Sequence, residues 1–103
     1  LQLILTDLMI NAKINESTLL GGNVQESIHV SMKKKYSKIK NKGLKQAPFY
    51  VLIGAKMPCI LIETGFISNP RECKRLKSSK YQGIFCDSIV KGLIKYMKEV
   101  SPT

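Results

Sequence analysis

The chain has 103 residues, 17 of them Lys or Arg and 7 Asp or Glu, giving a formal net charge of +10, and 44% of its residues are apolar. That length admits one small domain, and the apolar share excludes an intrinsically disordered chain. Apolar runs such as Cys59 to Ile62 fall far short of the roughly 20 residues that cross a bilayer, so no membrane span is expected.

From Leu3 to Ile14 the apolar residues Leu3, Ile4, Leu8 and Met9 or Ile10 suit a short amphipathic helix better than an alternating strand. From about Ser17 to Ile39, Leu20, Val24, Ile28, Met32 and Tyr36 recur every four residues, which predicts a long one-faced helix. Gly21 and Gly22 weaken its first turns by up to about 1 kcal/mol each. Seven lysines and no acid lie between Lys33 and Lys45, so this helix is expected to end in a solvated basic stretch that complements its C-terminal dipole.

After Pro48 the run Phe49-Tyr50-Val51-Leu52-Ile53, closed by Gly54, reads as a strand, and Cys59-Ile60-Leu61-Ile62 after Pro58 reads as a second. Continuous apolar runs flanked by helices fit a sheet covered on both faces, so the expected class is α/β. Asn69-Pro70-Arg71-Glu72 places a capping residue, a proline and an acid where a helix begins, and Ser79-Lys80-Tyr81-Gln82 repeats that logic. The last helix carries its apolar face on Tyr81, Ile84, Phe85, Ile89, Leu93, Tyr96, Met97 and Val100, a face expected to pack on the sheet.

Three cysteines, Cys59, Cys73 and Cys86, form no Cys-x-x-Cys pair, so neither a disulfide framework nor a thiolate zinc site is indicated and packed thiols are expected. One histidine leaves few ways to hold a catalytic metal. With no initiator Met and no signal-like opening, the chain reads as a piece of something longer.

Glu63 stands apart among the acids. It follows Ile60-Leu61-Ile62, precedes Thr64-Gly65 and is the only carboxylate between Glu26 and Glu72. In open α/β sheets ligands bind at the carboxyl ends of strands, so Glu63 is the candidate site residue. The competing reading makes it a structural carboxylate paired with a lysine or with turn backbone. His29 lies beside, not on, the Val24, Ile28, Met32 face, so an exposed or half-exposed helical histidine is favoured over a metal ligand. The lysine run is either a soluble helix end or a surface for anionic polymers, and the absence of a recognition motif favours the former.

Phe49-Tyr50-Val51-Leu52 followed by Met57-Pro58-Cys59-Ile60-Leu61-Ile62-Glu63-Thr64-Gly65-Phe66-Ile67-Ser68-Asn69-Pro70 resembles the zinc-dependent N-acetylmuramoyl-L-alanine amidases of bacterial cell-wall turnover. The resemblance extends upstream to Asp7-Leu8 and Glu16-Ser17, includes Gly43-Leu44-Lys45-Gln46-Ala47, and runs on through Tyr81-Gln82 to Tyr96. Cys59, where a small apolar residue is commoner, is a departure that touches packing more than chemistry.

The resemblance implies that residues 1–103 are the C-terminal portion of a single amidase catalytic domain, an incomplete α/β sandwich whose N-terminal strands are absent. In the family, zinc held by two His and one Glu binds the water that attacks the amide between muramic acid and L-alanine, and a second Glu acts as general acid/base. Only Glu63 matches that motif. The zinc ligands are expected before Leu1, so zinc belongs to the complete domain and none is expected on this chain alone. The implied partner is peptidoglycan, without specific nucleic acid, and the implied location is secreted, periplasmic or cell-wall associated. The chain by itself is expected to be inactive, and to self-associate or pair with the missing N-terminal part. The alternative is a non-catalytic basic module that binds an anionic polymer, either a cell-wall polymer or nucleic acid.

Overall fold

The computed structural model describes residues 2–37, 39, 43–44 and 55–101, with side chains from Lys13 onward. The two N-terminal helices expected from the sequence are one, α1, spanning Gln2–Lys35. No proline or other stop separates the two periodic segments, so helical hydrogen bonding continues through Glu16 and Ser17. Gly21 serves a close approach: a Cβ there would sit 2.6 Å from Leu44 Cδ1 and 3.4 Å from Ile60 Cγ2. The helix stops short of the expected Ile39, with the Tyr36 N–H donating to the Met32 carbonyl at 2.9 Å. Lys33, Lys34 and Lys35 occupy its last turn, where cations offset the partial negative charge of the carbonyls.

The short helix α2, Pro70–Leu76, starts where expected, with the Asn69 side chain accepting from the backbone N–H groups of Arg71 and Glu72. Helix α3, Ser79–Val100, is capped one residue earlier than the sequence suggests, by Ser78, whose hydroxyl accepts from the Tyr81 N–H. Gln82 closes no capping box; its amide donates instead to the Leu76 carbonyl at 2.7 Å, tying α3 to the end of α2.

Helices α1 and α3 form an antiparallel pair. Tyr36 meets Tyr81, Ser27 meets Ser88, and Glu16 meets Tyr96, so positions rise along one helix as they fall along the other. The core holds Leu20, Val24 and Tyr96, with Ile28, Ile60, Ile62 and Ile89 packed against it. The expected stripe on α1 is thereby realised, with Met32 1% exposed. On α3 the buried line is Tyr81, Ser88, Gly92 and Tyr96, whereas Leu93, Met97 and Val100 remain exposed. Small residues are chosen because the two backbones nearly touch: a Cβ on Gly92 would lie 2.6 Å from Val24 Cα and 2.9 Å from the Asn23 carbonyl oxygen. The helix that was expected to lie on a sheet lies on another helix.

The α/β expectation is overturned: among the described residues there is no strand, and the arrangement is helical. The expected strand Phe49 to Ile53 lies outside the described residues. Among the described residues Cys59 to Ile62 carries no ladder; the Cys59 N–H donates to the Ser17 hydroxyl at 3.0 Å, a side-chain partner on α1. A strand exists only by pairing with a neighbouring strand, and an apolar run reads alike whether it lies in a sheet or on a helix pair. Burial here is also one-sided, with Ile60 and Ile62 turned to the core and Leu61 48% exposed, which contradicts the argument for a run covered on both faces. Among the described residues no helix is long and apolar enough to cross a membrane.

Candidate functional site

Glu63 lies at the end of this one-sided run. Because Ile60 and Ile62 pack against Leu20, Val24 and Tyr96, the alternating positions Leu61 and Glu63 face outward, and the Glu63 side chain is exposed. Hydrophobic burial on alternate residues therefore presents this carboxylate to solvent without a sheet rim.

The turn that follows is built in detail. Gly65 has φ +153°, a backbone conformation that side chains disfavour, so glycine is required there. The Phe66 N–H donates to Glu72 Oε2 at 2.8 Å, and the Asn69 N–H donates to the Phe66 carbonyl at 3.0 Å. The acid of the capping motif reaches past the cap to grip the loop three residues after Glu63. Asn69 Oδ1 accepts from Arg71 and Glu72 N–H groups at 3.0 and 3.2 Å, satisfying the orphan donors of α2.

Helix α2 is in turn fastened to the residues that directly follow α1. Arg75 Nη2 donates to the Ser37 carbonyl at 2.6 Å, and its guanidinium lies 5.5 Å from the centroid of the Tyr36 ring. Tyr36 packs edge-on against Tyr81 at 4.9 Å, and Tyr81 stacks on Phe85 at 6.1 Å. Burial raises the Tyr81 hydroxyl above the ordinary tyrosine value, partly opposed by the Arg75 charge. The loop after Glu63 is thus tied through α2 to both long helices. Sequence reasoning found Asn69 and Glu72 as helix-start signals but missed the Phe66 contact, because a carboxylate six residues from its partner shows no periodic signature.

His29 is half-buried on α1, as the helical reading expects, and its Nδ1 is buried without a hydrogen-bond partner among the described residues. The expected packed thiols are realised in part: Cys59 and Cys73 are half-buried, but Cys86 is exposed. Further polar contacts of the helix pair were not foreseen. The Asn23 amide donates to the Leu19 carbonyl and to Glu99 Oε2, at 2.9 and 3.0 Å, and the Tyr96 hydroxyl donates to Glu16 Oε2 at 2.9 Å. Among the described residues no group of three or more His, Cys, Asp or Glu is placed to hold a metal ion. What this site offers chemically is one solvent-facing carboxylate on a braced loop.

A family model described as N-acetylmuramoyl-L-alanine amidase matches residues 6–95. The amidase AmiA of Escherichia coli (strain K12) is 32% identical over 96 residues, covering 93% of this chain and 32% of that protein. A putative N-acetylmuramoyl-L-alanine amidase of Buchnera aphidicola (subsp. Baizongia pistaciae) is 38% identical over 93 residues, 84% of this chain and 43% of its own length. The uncharacterized protein YqiI of Bacillus subtilis (strain 168) is 39% identical over 57 residues, 55% of this chain and 28% of that protein. The chain thus spans about a third of the length of these curated relatives, and no solved structure matches it. With the match running from near the start of α1 nearly to the end of α3, this chain belongs to the N-acetylmuramoyl-L-alanine amidase family.

Proposed function

We propose that this chain is the C-terminal portion of the catalytic domain of an enzyme that hydrolyses the amide between N-acetylmuramic acid and L-alanine of the stem peptide in peptidoglycan, with Glu63 as the general acid/base. The observation that carries the reading is the presentation of Glu63, exposed between core-facing Ile62 and the turn braced by Glu72. A carboxylate so placed can take a proton from a water attacking the amide carbonyl and deliver it to the departing L-alanine nitrogen, leaving a carboxylic acid and a free amine. The family's amidase names and the location of peptidoglycan support an envelope setting for the protein.

The zinc implied by the resemblance does not fit the residues described here, which bring no three ligands together. The chemistry derivable from this chain is that of one carboxylate, and residues 1–103 alone are proposed to be inactive.

The test is Glu63→Gln in the full-length protein, with release of L-alanine-linked peptides from soluble muropeptides as the assay. The rate is expected to fall on the order of 10²-fold or more. Because Glu63 is exposed, the thermal midpoint should stay essentially where it is. A Gln variant with the parent's rate would remove Glu63 from the chemistry.

A further inference from the structure

The lysines at the end of α1 do more than complement its dipole. A groove of about 210 Å³ runs between the last turns of α1 and the middle of α3, lined by Lys34 and Lys35 from one helix and Lys91 from the other, with Ser31, Asp87 and Ile84 beside them. A helix-end argument accounts for Lys34 and Lys35 but not for Lys91, which sits mid-helix, far from the C-terminal carbonyls of α3. Among the described lining residues, three ammonium groups against one carboxylate leave an excess of two positive charges. None of the three is ion-paired among the described residues; the described ion pair is Lys95–Glu26 at 3.6 Å. The remaining groove residue, Ser88, is already committed, its hydroxyl donating to the Phe85 carbonyl and its carbonyl accepting from Ser27.

From this convergence we infer that the groove binds the phosphodiester groups of an anionic cell-envelope polymer, holding the protein on its substrate; the inference rests on the amidase reading for the location of that polymer. Like charges gathered on two elements raise one another's energy unless an anion lies between them. The groove is smaller than the roughly 300–1,000 Å³ of small-molecule sites, so it suits one charged group of a repeating chain more than an enclosed ligand. Among the described residues no aromatic side chain lines the groove, so they supply no stacking platform of the kind that single-stranded nucleic acid uses. Lysine ammonium groups acting as point charges recognise phosphate without a bidentate fork.

The experiment measures binding of poly(glycerol phosphate) to the full-length protein at 50 and 200 mM salt, comparing the parent with the Lys34→Ala/Lys35→Ala/Lys91→Ala triple variant. Three phosphate contacts on a flexible chain contribute a slope of about two in log affinity against log salt, or about a twentyfold loss across that interval. The triple variant is expected to have a slope shallower by about two. A control triple, Lys74→Ala/Lys77→Ala/Lys80→Ala, removes the same charge from exposed positions on α2 and the start of α3 and is expected to retain the parent's slope. Equal slopes for groove and control variants would overturn the inference, as would tighter binding of single-stranded DNA or of polyglutamate than of poly(glycerol phosphate) at matched charge. Hydrolysis of soluble muropeptides, which lack phosphodiesters, is read in parallel. Parent-like turnover in the groove variant, together with lost polymer binding, supports the assignment, whereas failure of the amidase reading shows separately, as parent-like turnover in Glu63→Gln.

Discussion

Replacing Gly92 with alanine tests the helix crossing on which the fold depends. The added Cβ would stand 2.6 Å from Val24 Cα, 2.9 Å from the Asn23 carbonyl oxygen and 3.1 Å from the Val24 nitrogen, all backbone atoms that cannot rotate away. To reach the 3.4 Å of ordinary contact, α1 and α3 must part by about 0.8 Å at this point. A gap of that size forfeits about a quarter to a half of the dispersion energy of the atoms that lose contact, and overpacking of this kind costs about 1–3 kcal/mol. Because the obstacle is backbone, the upper end applies, offset by about 1 kcal/mol from the better helix propensity of alanine. The net loss expected is about 2 kcal/mol. Gly83 lies on the same helix with no atom of the described residues within 4 Å of the equivalent Cβ, so Gly83→Ala should stabilise by about 0.5–1 kcal/mol. Urea unfolding followed by far-UV circular dichroism reads both, and with slopes of about 1–3 kcal/mol per molar the two midpoints should separate by about 1 M or more. A Gly92→Ala midpoint at or above the parent's would refute the close crossing.

Glu72→Ala removes the acceptor of the Phe66 N–H, and exchange of that amide should accelerate by about tenfold, while Glu72→Gln, which keeps an acceptor oxygen, should retain most of the protection. Equal exchange in the two variants would disconnect Glu72 from the loop. Burial raises both Tyr81 and Tyr96 above the ordinary value of 10.0, and for Tyr96 the hydrogen bond to Glu16 adds to it. Since the folded state favours the neutral phenols, their contribution is fully present below pH 10 and is lost as pH rises through the higher folded values. The thermal midpoint should therefore fall through that alkaline range, and fall less steeply in Tyr81→Phe/Tyr96→Phe; parallel profiles would contradict the assignment.

The amino-acid sequence was sufficient wherever the physics is local. The Asn69 cap with Pro70 is a matter of a few neighbouring residues, and the Leu20, Val24, Ile28, Met32 stripe follows from helical period alone, so both appear as read. The motif from Glu63 to Pro70 carried the family. Three-dimensional packing decided the rest. Ile60 and Ile62 rest on a helix pair instead of in a sheet, because an apolar run declares that it is buried but not what buries it. Ser88 and Gly92, not Leu93 and Met97, face the partner helix, because the closeness of two backbones selects for small volume, which a hydrophobic pattern does not measure. The meeting of Lys91 with Lys34 and Lys35 depends likewise on how two distant segments cross, a relation set by the crossing at Gly92 and absent from any local stretch of the chain.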